Sequence, residues 1–349
     1  MQTIDYPPRL ELARLPTPLQ PLQRLSQELG GPKIWLKRDD LTDCAVSGNK
    51  IRKLEFTLAR AMEQGCDTLV TCGGEQSNHC RATAILGARL GLKVHLILRR
   101  ERVDASAAAE GAAQCPDGNL FLDYLCGAHV SIYDKPEYQH RLPELFEHWA
   151  AHYNRQGCRP YLIPTGASDG TGVWGYVACA EELSKDFQRV GIDPAYIVHA
   201  TGSGGTQAGL TAGSQLFRLG ASVLGIAVCD NADYFSRKVA EDLRQWRESY
   251  GLSVDITESN ILVDDRYVGP GYAQADAAVY QTIRQVAASE GVVLDPVYTG
   301  KAFYGMIDRI KRGEFAGAQD IVFVHTGGIF GLLAQRSRMS EWLTKDEAI

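Results

Sequence analysis

The chain reads as an α/β protein with two parallel-sheet regions facing one another across a cleft. Three observations carry that expectation. Strand and helix patterns alternate through most of the 349 residues. A β-loop-α-β unit occurs near residue 70 and again near residue 200, and such units build parallel sheets. In both, a glycine-containing loop separates strand from helix. The length is enough for two domains.

Residues 50–64 set Ile51, Leu54, Leu58 and Ala61 at helical spacing, and Gly65 closes that helix. Thr68-Leu69-Val70-Thr71-Cys72 predicts a buried strand, Gly73–Asn78 a loop, and His79 to about Leu90 a helix. Lys93–Leu98 is the next strand, and residues 101–120, rich in Ala, Gly and polar residues, predict a surface excursion. The second unit is strand Tyr196–Ala200, loop Thr201–Thr206, helix Gln207 to about Leu219 and strand Ser222–Cys229. Two late strands are expected, at Val292–Asp295 and at Ile321–Val324. No internal repeat or low-complexity tract interrupts the pattern.

Composition excludes several classes. Hydrophobic residues make up 45%, charged residues 22%, and the net charge is −6 with both signs well mixed. That argues against nucleic acid or an anionic membrane as the main partner. Arg99-Arg100-Glu101-Arg102, the longest basic cluster, reads as a solvated loop after its strand. Nine scattered cysteines contain no Cys-x-x-Cys pair and no zinc-like spacing, so no metal is expected. Several, such as Cys72, Cys179 and Cys229, lie in apolar runs, which suits reduced thiols in a cytoplasm. The N-terminus lacks a secretory pattern, and no apolar run approaches the roughly 20 residues a membrane span needs.

The most informative residue is Lys50, in Ser47-Gly48-Asn49-Lys50-Ile51-Arg52-Lys53-Leu54-Glu55-Phe56. A glycine loop here runs into the first turn of a helix, whose N-terminus carries a partial positive charge. Desolvation and positive neighbours lower an amine's pKa and make it a nucleophile towards carbonyls. Arg52 and Lys53 add two cations within one turn, so the segment invites an anionic aldehyde such as pyridoxal phosphate. A cationic first turn facing water is the plainer alternative.

Thr201-Gly202-Ser203-Gly204-Gly205-Thr206 has the character of a phosphate cradle. Glycines let the backbone approach an anion, and the following helix adds its N-terminal dipole. A dinucleotide fingerprint would need glycine where Gln207 stands, and no Gly-Lys-Ser/Thr follows. The loop therefore suits a single terminal phosphate, a flexible turn being the alternative. Ser77 and Asn78 sit between strand and helix, where ligands of open α/β sheets bind; either could equally be a helix cap. His79 reads as a surface residue at a helix start. Tyr298 ends the Asp295–Lys301 segment and Tyr272 lies on a Pro-Gly loop. His325-Thr326-Gly327-Gly328 offers a small hydroxyl and bare backbone to a flat ring.

Taken together, these segments resemble the pyridoxal-phosphate enzymes that include D-cysteine desulfhydrase and 1-aminocyclopropane-1-carboxylate deaminase. Pro16-Thr17-Pro18-Leu19, Lys37-Arg38-Asp39-Asp40, Gly48–Glu55, Gln76–His79, Gly202–Thr206, Asp295–Lys301 and His325–Gly328 carry the resemblance, in the family's order over nearly the whole chain. It implies a tryptophan-synthase-β-like fold (fold type II). A large domain of residues 1–53 and 167–349 would bind the cofactor, with a smaller domain of residues 54–166 inserted. It also implies a homodimer.

By position, the resemblance makes Lys50 the Schiff-base lysine and Asn78 the donor to the cofactor's ring hydroxyl. Ser77 would hold the substrate carboxylate or assist proton transfer. Gly202, Ser203, Gly204, Gly205 and Thr206, helped by Lys53, would hold the phosphate. Tyr272 and Tyr298 match the family's two active-site tyrosines, and Thr326 would lie near the pyridine nitrogen. Thr299 selects the branch, because the deaminase branch has glutamate after the tyrosine and the desulfhydrase branch threonine. A carboxylate there favours a protonated ring and a strong electron sink, which expulsion of carbon needs and expulsion of a thiolate does not. The chain departs from the pattern at Ser47, Glu75 and Cys80. Glu75 adds a carboxylate near the expected substrate position, where it would either repel a diacid or pair with a cationic group, and it disfavours a sulfonate such as cysteate.

The reading is a cytoplasmic lyase that releases sulfide, pyruvate and ammonia from D-cysteine. Deamination of the cyclopropane amino acid and elimination from cysteate, 3-chloro-D-alanine or D-serine are alternatives within the class. A non-catalytic pyridoxal-phosphate-binding paralogue is an alternative outside it, as is a nucleotide-binding oxidoreductase, which the missing third glycine disfavours.

Overall fold

The computed structural model describes residues 4–100, 116–257 and 260–343. Among them, short strand β1 (Leu19–Pro21), helix α1 (Gln23–Leu29) and strand β2 (Lys33–Lys37) precede the Lys50 helix α2 (Asn49–Glu63). Then come β3 (Thr68–Gly74), α3 (Asn78–Leu90), β4 (Lys93–Arg99), α4 (Gly118–Leu125), β5 (His129–Tyr133), α5 (Lys135–Arg155) and β6 (Pro160–Leu162). The chain continues through α6 (Val173–Val190), β7 (Tyr196–Thr201), α7 (Gly205–Leu216), β8 (Ser222–Ala227), α8 (Ala232–Tyr250) and β9 (Leu262–Asp264). It finishes with α9 (Ala277–Glu290), α10 (Thr299–Lys311), β10 (Asp320–Val324), α11 (Ile329–Leu333) and α12 (Arg336–Leu343).

The strands form two sheets, ordered β1-β2-β10-β7-β8-β9 and β5-β4-β3-β6. Every pairing is parallel except β1 with β2. Parallel strands are covered on both faces, which is why β3 and β10 read as unbroken buried runs. The four-stranded sheet draws only on residues 68–162, and the six-stranded one on residues 19–37 and 196–324. Helix α2 bridges them. Ile51, Leu54 and Leu58 join the core of the smaller sheet with Leu69, Ile85 and Leu96, whereas Phe56 packs with Trp174 and Trp246 under α8.

The entry into α2 is sterically fixed. Gly48 has φ +103, and a Cβ placed there would lie 2.5 Å from the Thr326 carbonyl oxygen. The Asn49 amide donates to that same oxygen at 3.2 Å. Only glycine lets the two backbones meet at that angle.

Several expectations need correction. Val292–Asp295 is no strand, because the Asp295 carboxylate accepts the amides of Val297, Tyr298 and Thr299 and curls the chain into α10. Pro296 removes a further ladder donor. Helix α7 begins at Gly205, two residues early, since Gly204 caps it in the left-handed region, and it stops at Leu216. Of the expected excursion, residues 101–115 lie outside the described residues, and α4 begins at Gly118 within its last part. His79 is only 2% exposed: its Nε2 pairs with Thr71 Oγ1 at 2.8 Å inside the fold. The eight described cysteines are free thiols.

Gly48→Ala is expected to lower unfolding free energy by about 1–3 kcal/mol, from backbone strain plus the clash with Thr326. Gly313→Ala, at φ +72 with nothing within 4 Å, should cost about 1 kcal/mol or less. Equal shifts in urea midpoint would refute the steric role.

Candidate active site

The site lies at the carboxyl ends of β3, β7 and β10, where the loops of both sheets converge. Lys50, at the second position of α2, is half-buried and makes no hydrogen bond among the described residues. Burial lowers its amine to about 8. Its Nζ lies 3.5 Å from the point where a Cβ on Gly166 would sit, and Ser203 Oγ lies 2.5 Å from the same point. Lysine and glycine loop therefore share one small volume.

The glycine loop forms an anion nest. Gly204, at φ +88, caps α7, and the helix's first amides follow it. Asn49 Nδ2 donates to Thr206 Oγ1 at 3.0 Å, tying α2 to the nest. Lys53 is fully buried and donates to Ser168 Oγ at 3.1 Å. That hydroxyl also accepts the Gly205 amide at 3.2 Å and donates to Ser203 Oγ at 2.8 Å. Burial, then the nearby Lys50, push the Lys53 amine well below its ordinary value. Buried Asp242, paired with Lys238 on α8, pulls the Lys53 amine the other way without outweighing burial. Burial lifts the Asp242 carboxyl to about 6 despite the pull of Lys238 and Lys53.

On the opposite wall, Ser77 caps α3 by accepting the Cys80 amide at 3.2 Å, and its side chain also hydrogen-bonds that of Cys80. Asn78 is half-buried, and its Oδ1 accepts from Arg81. His79 lies behind them. Burial, then the two lysines, hold its imidazole well below the usual range, so it is neutral. Glu75 is half-exposed, its amide bonded to the Arg99 carbonyl.

A third wall carries the tyrosines. Tyr272 and Tyr298 hydroxyls lie 2.6 Å apart with rings inclined at 75°. Burial, then Tyr272, raise the Tyr298 phenol well above its ordinary value, so it stays protonated. Lys301 reaches across to donate to the carbonyls of Val228, Val268 and Gly271, anchoring the loop that carries Tyr272. The Arg99 guanidinium sits 5.1 Å from the Tyr272 ring, so this residue faces the site rather than a solvated loop. Beneath, Thr299 is fully buried, with its hydroxyl donating to Asp295 Oδ1 at 2.7 Å. The hydroxyl also accepts the Asp295 amide at 2.8 Å. Thr326 is buried at the end of β10. His325, fixed by Val293 O and the Gly327 amide, holds that loop.

Arg52 does not join the site. It turns to the far face of α2 and pairs with Asp39 and Glu182, and Lys37 completes the cluster with Glu182 and Asp186. Burial opposes ionisation of Asp39, but Arg52 prevails and holds its carboxyl below the usual range. Ser168, Asn49, Asp242 and Arg99 are the site residues that the sequence reading omits. The Gly166-Ala167-Ser168 run of small residues after β6 is the one available signal.

An amine with no hydrogen-bond partner among the described residues, beside a glycine-lined nest of backbone amides at a helix N-terminus, fits an aldehyde carrying a phosphate. The fold and this site define a pyridoxal-phosphate-dependent enzyme of fold type II. The family model described as "Pyridoxal-phosphate dependent enzyme" matches residues 10–327, and the chain belongs to that family. Within it the chain falls in the group of 1-aminocyclopropane-1-carboxylate deaminases and D-cysteine desulfhydrases. A Thermotoga maritima protein provisionally named as the deaminase is 42% identical over 95% of this chain and 99% of its own. The D-cysteine desulfhydrase of Yersinia pestis is 39% identical over 95% of this chain and 97% of its own. The crystal structure of an ACC deaminase homologue superposes with TM-score 0.83 at 35% identity, covering 96% of each chain. The protein is thus a pyridoxal-phosphate-dependent lyase of this group.

In the cofactor-free protein, modification of Lys50 by a limiting amine reagent should rise with a midpoint near pH 8, because the lowered value leaves the amine neutral above it. About a quarter of the amine is then neutral at pH 7.5, against about 0.1% for an ordinary lysine. Peptide mass spectrometry across pH tests this, and a midpoint above 10 would contradict it. Ser168→Ala should weaken pyridoxal-phosphate binding about tenfold by removing the hydroxyl that orients Lys53 and the Gly205 amide.

Proposed function

We propose that the protein eliminates sulfide from D-cysteine, forming pyruvate and ammonia. The observation that carries this reading is Thr299: the position after Tyr298 supplies a hydroxyl committed to Asp295, and no carboxylate. Asp295 is itself committed, since its oxygens accept three backbone amides and the Thr299 hydroxyl. A weakly activated electron sink suffices when the leaving group is a thiolate.

Pyridoxal phosphate, when bound, supplies the electron sink that delocalises charge from the substrate's α-carbon. The remaining work falls to this chain. The Gly202–Thr206 nest and Lys53 would hold the phosphate. Asn78 would meet the ring hydroxyl, and Thr326 and Thr299 would lie towards the ring nitrogen. Lys50 would hold the cofactor by its carbonyl carbon and take the substrate's α-proton, for which an amine near 8 is suited. Ser77 would turn its hydroxyl to the substrate carboxylate. The Tyr272–Tyr298 pair delivers a proton to the departing sulfur, and Tyr298's suppressed acidity keeps that proton in place. Ring opening of 1-aminocyclopropane-1-carboxylate is a second reading, favoured by the name of the Thermotoga relative. The enzyme is further proposed to work in the cytoplasm as a homodimer. Exposed Phe121 and Leu125 on α4, beside Ile329 and Leu333 on α11, offer apolar surface to a second copy.

A pyruvate-release panel over D- and L-cysteine, D-serine, cysteate, 3-chloro-D-alanine and the cyclopropane substrate tests the assignment. D-cysteine should be fastest, and faster ring opening would overturn it. Lys50→Ala should abolish turnover, and Tyr298→Phe should lower kcat by about 10²–10⁴-fold. Thr299→Glu should gain ring-opening activity.

A further inference from the structure

Arg81 has no place in the chemistry described so far, yet it is fully buried on α3, one turn beyond Asn78. Four of its five donors are engaged. Nη1 donates to Asn78 Oδ1 at 3.2 Å and to Asn119 Oδ1 at 2.8 Å. Nη2 donates to the carbonyls of Val46 at 2.6 Å and Ser47 at 2.9 Å. The guanidinium lies 4.8 Å from the Phe330 ring centroid on α11. Asn119 is itself fixed, because its Nδ2 donates to the Gln76 carbonyl and its amide to Gln76 Oε1. A guanidinium is a rigid, donor-only fork. Whatever accepts from it must turn an oxygen towards it.

We infer that Arg81 is a positioning residue that sets the polarity of the Asn78 amide. With Oδ1 held by Arg81, Nδ2 points the other way, and it makes no hydrogen bond among the described residues. An asparagine amide can flip between near-isosteric states, one presenting donors to the cleft and the other an acceptor. Arg81 permits only the donor state, which suits an anionic ring oxygen and repels none. Through Val46 and Ser47 the same side chain fixes the loop leading into Gly48 and Lys50. The residues assigned to the ring hydroxyl and to the neighbouring carbonyl thus share one brace. Burial lowers the guanidinium to about 10, so the fork stays charged at neutral pH.

The inference rests on Asn78 facing the ring hydroxyl, as proposed above, and a double-mutant cycle separates the two claims. The readout is the pH midpoint of the bound cofactor's visible absorbance, not turnover. A donor to the ring oxygen favours its deprotonated form and lowers that midpoint. Asn78→Ala should raise the midpoint by about one unit. Arg81→Lys should raise it too, since an ammonium cannot hold all four acceptors. The double variant should shift no further than Asn78→Ala alone. An unshifted Arg81→Lys, or additive shifts in the double variant, would overturn the positioning role. An unshifted Asn78→Ala would instead remove the assignment of Asn78, and the role of Arg81 with it. Should Arg81→Lys not fold, Arg81→Gln is carried through the same cycle with the same expected non-additivity.

Discussion

Everything at this site depends on how closely two backbones meet. The loop before α2 and the loop after β10 touch at Gly48 and Thr326, with the Asn49 amide closing the contact. That contact brings the end of the central strand of the larger sheet against the helix that enters the smaller one. Lys50 follows two residues later, so its amine is placed by main-chain geometry before any side chain contributes. Gly202 answers it from the other side, where a Cβ would stand 3.1 Å from both Tyr298 and Val228. The cleft is a gap between loops that glycine alone can bring so near.

Helix α2 does two jobs because its faces differ. Lys50 and Lys53, three residues apart, share the face towards the nest. Arg52 and Glu55 turn away from it. Arg52 is buried among Asp39, Glu182 and Thr17, while Glu55 accepts the amides of Leu12 and Ala13 and pairs with Arg9. The outward charges are neutralised by partners that pin the N-terminal segment and α6. The inward amines lack carboxylate partners at hydrogen-bond distance, and burial therefore lowers both. A polarised helix of this kind converts folding energy into a neutral amine.

Much of this was legible in the sequence. The alternation of strand and helix, the Lys50 turn and the Gly202–Thr206 nest are local patterns, and the structure brings them together. What was illegible depended on distant partners. Arg52 looked like part of a cationic cluster because Asp39 and Glu182 could not be seen beside it. His79 looked exposed because Thr71, its partner, lies on the preceding strand. Val292–Asp295 had the composition of a strand, but the Asp295 carboxylate and Pro296 decided otherwise. Ser168 is 115 residues from Lys53, and nothing local announces their contact. Spacing reveals what neighbours along the chain do; it is silent about long-range pairing.

The two phenols have a consequence of their own. Oxygens 2.6 Å apart hold one hydrogen between them. Either oxygen can be the donor in that bond. A phenol that gave up its hydrogen would be left as a phenolate against its neighbour's O–H, and the same short contact would become a charge-assisted bond that stabilises it.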